Sequence, residues 1–114
     1  MSNRGHRIVT DEELEKALDF LRDNAAAMGD AKARTVRAGH MLKHIEAIES
    51  KMSQEKSAEG RKADARCTIR YLEALDEDAE AAGEYAKLVA LREAAALKIE
   101  AWRTESSNWR AMKI

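Results

Sequence analysis

The sequence predicts an all-α protein built around a long antiparallel helical hairpin, and three observations carry that prediction. The 114-residue chain has no proline and only five glycines, so little in it interrupts a helix. Alanine, leucine, glutamate, lysine and arginine dominate, as in long helices and coiled coils, while aromatic residues make up only 4% and leave a sheet short of packing side chains. Apolar residues also recur at three- and four-residue steps over most of the chain.

At this length a single domain is expected, with residues 1–10 as a flexible N-terminal arm and residues 11–114 as one helical unit. Thr10 followed by Asp11, Glu12 and Glu13 has the form of a capping box and starts the first arm, residues 11–57. Leu14, Leu18, Leu21, Ala25 and Met28 form an amphipathic stripe, interrupted by Gly29 and Asp30. Gly29 fits either a helix end or a defect tolerated inside a continuous helix, so two or three helices are both compatible with the pattern. The stripe resumes as Ala38, Met41, Ile45, Ile48 and Met52.

Residues 58–60 are the predicted turn, since a polar stretch ending in Gly60 supplies the positive-φ position that a reversal needs. A long helix over residues 61–105 follows, with Ile69, Leu72, Leu75, Ala79, Ala82, Val89, Ala96, Ile99 and Trp102 as its apolar positions. Thr104, Ser106, Ser107 and Asn108 compete locally for backbone hydrogen bonds, and are expected to set off residues 106–114 as a short C-terminal segment.

Residues 11–57 and 61–107 are stretches of equal length, each about 70 Å if wholly helical. Folding about residues 58 and 59 sets residues 31–44, with Lys32, Arg34, Arg37 and Lys43 and no acid, opposite residues 73–86, with six acids and no Lys or Arg. Such matching sets pairing and orientation more than it adds stability. Two helices with narrow Ala- and Leu-rich stripes do not enclose a core, so a coiled-coil-like homo-oligomer is expected.

Lys and Arg total 20 against 21 Asp and Glu, which excludes a chain-wide basic field. The single cysteine, Cys67, has no internal disulfide partner, and the first ten residues hold no apolar run, so a cytoplasmic protein without membrane insertion is expected. No motif implies a cofactor, and no set of residues fills the roles that catalysis requires, so a non-enzymatic protein is expected.

Three groups of residues are candidates for binding. Trp102, Arg103, Trp109 and Arg110 combine indoles with guanidiniums, the composition of interface hot spots, and are read as a protein-partner site. The alternative is that the indoles cover the end of the bundle against Leu14 and Leu18. Lys62, Arg66 and Arg70 form a basic stripe at four-residue steps beside Lys51, Lys56 and Arg61, with no acidic run opposite; nucleic acid is the alternative partner there. His40 and His44 have the i, i+4 spacing of a shared metal site, but no general-base glutamate stands between them, and they are read as solvated or interface histidines. A third function would be sequestration of a small ligand between subunits.

In the C-terminal half, Glu84-Tyr85, Leu91-Arg92-Glu93-Ala94-Ala95, Ile99-Glu100-Ala101-Trp102-Arg103-Thr104 and Ser107-Asn108-Trp109-Arg110 give a pattern that resembles small helical proteins of tailed phages and prophages. Those proteins are encoded near recombination or early-region genes and have no established activity. The resemblance implies a phage-type accessory protein that acts in the bacterial cytoplasm by binding host factors or DNA-processing machinery.

Overall fold

The structure, a computed structural model, describes residues 7–112. Four helices follow one another, α1 (Asp11–Asp23), α2 (Ala25–Met52), α3 (Ala58–Ala65) and α4 (Ile69–Met112), and no strand occurs among the described residues. Residues 1–6 of the expected N-terminal arm lie outside that range.

Capping chemistry explains where the helices begin. Thr10 Oγ1 accepts the Glu13 N–H at 3.1 Å while Glu13 Oε1 accepts the Thr10 N–H at 3.2 Å, which closes the capping box at the start of α1. The first helical stretch ends at Asn24 and not at Gly29. Both the backbone N–H and the side-chain amide of Asn24 donate to the Phe20 carbonyl at 3.0 Å, so an asparagine supplies the stop locally. Gly29 lies inside α2, and no glycine among the described residues has positive φ.

The predicted turn at residues 58–60 is helical, and the chain leaves α2 through residues 53–57 instead. Ser57 caps α3 by accepting the Gly60 N–H at 2.9 Å. A Cβ on Gly60 would stand 2.9 Å from Ser57 Oγ and 3.1 Å from Glu55 Cβ, so glycine is used here for close approach and not for its φ. The long helix starts at Ile69 because Thr68 breaks the expected run from residue 61. Its hydroxyl donates to the Ala65 carbonyl at 2.9 Å and accepts the Tyr71 N–H at 3.2 Å, which ends one helix and caps the next. At the other end α4 continues through Thr104, Ser106, Ser107 and Asn108 to Met112. Thr104, Ser107 and Asn108 are exposed to water, and Ser106 faces Arg7, so none of them draws on the helix backbone.

The chain forms two compact units, one of Met1–Ala27 with Lys87–Ile114, the other of Met28–Ala86. In the second unit, positions 28, 31, 35, 38, 42, 45 and 49 of α2 and 71, 74, 78, 81 and 85 of α4 are all buried or half-buried. In the first, the same alternation of three- and four-residue steps runs through 14, 17 and 21 of α1 and through 95, 99, 102, 106 and 109 of α4. A seven-residue repeat of burial is the mark of helices paired along a shallow seam.

The buried members are small. Ala17, Ala31, Ala38, Ala65, Ala74, Ala81 and Ala95, with Val9 and Ser106, are the buried residues, and no large side chain is fully enclosed among those described. Leu14, Leu21, Met28, Ala38, Ile45, Ile99 and Trp102 of the stripes read from the sequence are buried or half-buried, but over the first part of α4 the stripe is displaced around the helix. Leu72 is 50% and Ile69 75% exposed, Ala79 and Ala82 face water, and Ala74 and Ala81 occupy the seam. Alanine wins those positions because it lets two helix backbones approach closely, which leaves no room for leucine between them.

Within the unit Met28–Ala86, α2 and α4 run antiparallel. Arg34 forks onto Glu77 with two contacts of 2.8 Å, Arg70 meets Glu49 at 3.5 Å, Lys32 Nζ lies 5.2 Å from the Tyr85 ring centre, and Gly39 faces Asp78. The Arg34 guanidinium holds the Glu77 carboxyl below its ordinary range, and the Thr10 N–H does the same for Glu13.

Two outcomes are expected. Ala81→Leu overfills the seam and should cost about 1–3 kcal/mol in thermal or denaturant unfolding, while Ala82→Leu, one residue on, should stay within about 0.5 kcal/mol. Because the folded pKa of Glu77 is depressed, its stabilisation is complete above the unfolded carboxylate pKa and is lost as pH falls through the folded value. Melting temperature should therefore drop on acidification below about pH 4.3, and Glu77→Gln should flatten that dependence.

Candidate functional site

The two tryptophans of the predicted partner site meet a residue from the start of the chain. Trp102 and Trp109 are seven positions apart on α4 and fall on one face, with Ser106 between them. The Arg7 guanidinium lies 4.8 Å from the Trp102 ring centre and 5.4 Å from that of Trp109. Arg7 also donates to the buried Ser106 hydroxyl, and it stands 3.5 Å from Asp11 Oδ1 and 3.9 Å from Glu105 Oε1. Asp11 Oδ1 accepts the Trp102 indole N–H at 3.0 Å, and the Ile8 N–H points at both Glu105 oxygens at 3.2 Å. Val9 is buried next to these contacts in the chain, so residues 7–10 are fastened to α4 and are not a free arm.

This cluster is one charge system. The guanidinium brings one positive charge, and Asp11 and Glu105 bring carboxylates within reach of it. Cation and ring attract because the face of an indole carries negative quadrupole, an effect of about 0.5–1 kcal/mol at exposed sites and more when water is excluded. Only 19% of the Arg7 side chain and 14% of the Glu105 side chain are exposed, so the pair is partly shielded from solvent. Trp102 and Trp109 are half-buried, whereas Arg103 and Arg110 are exposed. Arg103 pairs with Glu100 at 3.5 Å, and with Thr104, Ser107, Asn108 and Arg110 it lines an open polar groove. The indole and guanidinium halves of the predicted site thus have different surroundings, the indoles facing Arg7 and the arginines facing water.

Arg7, Asp11, Glu105 and Ser106 were not singled out from the sequence. The one signal near them was the capping box, which bears on Asp11 and the residues before it and not on Glu105 or Ser106. Fixing Asp11 as the first helical residue puts residues 7–10 immediately before the helix that carries the Trp102 partner.

The basic stripe is dispersed. Lys62 belongs to α3 and Arg70 to α4, with Arg66 in the break between them, so the three do not share a helix face. Arg66 Nε donates to Glu46 Oε2 at 2.8 Å and Arg70 meets Glu49, so carboxylates do stand opposite the stripe. Arg61 donates to the Lys56 carbonyl at 2.8 Å and to that of Glu55 at 3.3 Å, which closes the loop. Lys51, Lys56 and Lys62 are exposed and form no ion pair among the described residues. His40 and His44 are both exposed, and no group of three or more His, Cys, Asp or Glu side chains is placed to hold a metal among the described residues.

An open groove in the unit Met28–Ala86 has Ala38, Met41, Ile45 and Ala74 as its apolar part and Arg70, Glu73 and Glu77 as its charged part. No helix among the described residues is long and apolar enough to cross a membrane. No protein-family model matches the chain, nor does any curated protein or solved structure.

Trp102→Phe keeps an aromatic face, smaller than the indole, and removes the donor to Asp11. It should lower stability by about 0.5–1.5 kcal/mol with helix content by circular dichroism unchanged.

Proposed function

We propose that the protein is a non-enzymatic helical interaction factor that forms a homo-oligomer through its helical hairpin and presents the Trp102–Met112 end of α4 to a protein partner. The observation that carries this reading is the inverted burial of the apolar side chains. Alanines fill the seams, while Leu18, Met41, Met52, Ile69, Leu72, Leu97 and Met112 are each at least half exposed. That much large apolar surface on one small chain favours association, since monomers rarely leave it in water. The non-enzymatic reading rests on the sequence, in which no set of residues fills the roles that catalysis requires.

The partner reading rests on the exposed Arg103 and Arg110 beside the half-buried indoles, a mixture of aromatic anchors and forked donors. Resemblance of the C-terminal half to phage accessory proteins agrees with a binding role in a bacterial cytoplasm. Nucleic acid is the weaker alternative, since Arg66 and Arg70 already carry carboxylate partners and Lys62 is left with Lys51 and Lys56.

Light scattering should give a mass above 12.8 kDa at micromolar concentration, and a Leu72→Glu, Leu75→Glu double variant should move toward that monomer value with its helix content kept. A stable 12.8 kDa species for the unmodified chain would sink the oligomer.

A further inference from the structure

Arg7 occupies a site with the parts of a receptor for a guanidinium. Two indole faces lie on it at 4.8 and 5.4 Å, a buried hydroxyl accepts from it, and Glu105 and Asp11 supply negative charge at 3.9 and 3.5 Å. Ring faces select a flat cation, and the hydroxyl and carboxylates select one with several donors in a plane, which is arginine over lysine.

The lining has supports of its own, independent of Arg7. Trp102 is oriented by its own bond to Asp11 at 3.0 Å, and Asp11 is the first residue of α1. Trp109, Glu105 and Ser106 project from the uninterrupted helix α4. The occupant, by contrast, comes from the non-helical residues that precede the Thr10 cap. Residues 7–9 are held to α4 by side chains, through Arg7, through buried Val9 and through the Ile8 N–H on Glu105, and among the described residues by no backbone-to-backbone hydrogen bond; Ile8 itself is 84% exposed. Arg7 can leave without opening a helix or disturbing the capping box, because Thr10 and Glu13 close that box between themselves.

We propose that Trp102, Trp109, Glu105 and Ser106 form an arginine-binding cage that Arg7 fills in cis and that an arginine side chain of a protein partner enters by displacing it. The cage rests on the partner-binding role given to this end of α4 and names the chemistry that end recognises. Arg7 then acts as an internal competitor: partner segments without a well-placed arginine do not displace it, and those with one do.

The test is tryptophan fluorescence titration of the full chain with a capped Gly-Arg-Gly tripeptide and its lysine counterpart. Arg7→Ala should bind the arginine peptide at least about tenfold more tightly than the unmodified chain, because a tethered competitor acts at an effective concentration in the millimolar range. The lysine peptide should bind more weakly, and adding Trp109→Leu to Arg7→Ala should abolish the response. Equal affinity with and without Arg7, or no saturable binding to Arg7→Ala, overturns the cage.

If Arg7→Ala loses helix content, Arg7→Met keeps the aliphatic stem and takes its place. If both lose it, recovery of the circular dichroism signal with millimolar ethylguanidinium, and not with ethylammonium, supports the cage, and no recovery overturns it. Failure of the peptide to bind a chain that still scatters as an oligomer removes the cage alone. A monomeric chain that binds the peptide removes self-association alone.

Discussion

Close approach of helices at alanine is the constraint on which the rest of this structure depends. Ala31 and Ala38 on α2, Ala65 on α3 and Ala74 and Ala81 on α4 are the buried positions of the unit Met28–Ala86, and Ala17 and Ala95 are buried alanines of the other unit. Seams of this kind give tight dispersion contact with little apolar area per residue. Large apolar side chains that share the seams, such as Leu42, Ile45 and Ile99, are half-buried, while Leu18, Met41, Ile69, Leu72 and Leu97 lie outside them and are half or more exposed. The exposure of Leu18, Met41, Ile69, Leu72 and Leu97 thus goes with small residues at the most buried seam positions, and not with a deficit of apolar residues in the chain.

Polar contacts then fix what alanine cannot. A seam of small, similar residues has little to distinguish one register from another, since a slip by one heptad replaces alanine with alanine. Arg34 forked onto Glu77, Arg66 on Glu46 and Arg70 against Glu49 make such a slip costly, because it would part each charge from its partner. These pairs are exposed and each contributes modestly to stability, so specifying the alignment is their larger role. In the unit that contains both termini of the chain, Arg7 has the corresponding part, tying the residues before α1 to the Trp102 and Trp109 face of α4.

An arginine held by two indoles, a hydroxyl and two carboxylates ties the residues before α1 to α4 within that unit. A contact made by side chains from a non-helical segment can be exchanged at lower cost than one made by a helix backbone.

The sequence by itself determined that the chain is helical, where α1 begins, and that acidic and basic stretches of α2 and α4 would face each other. Those features are local or compositional: the absence of proline, the Thr10 and Glu13 spacing, and charge blocks as long as a helical segment. It also held the true breaks in readable form, because Asn24, Ser57 and Thr68 are all residues whose side chains compete with helix backbone, though glycine drew the prediction to Gly29 and Gly60. Only the tertiary structure decided which face of the first part of α4 is inside. Leu72 and Ala74, or Ala81 and Ala82, are equally acceptable by periodicity, and what separates them is how closely a neighbouring helix can approach, a quantity no single segment contains. The position of Arg7 against Trp102 and Trp109 was decided the same way, since residues from the two ends of the chain meet only once the helices between them are folded.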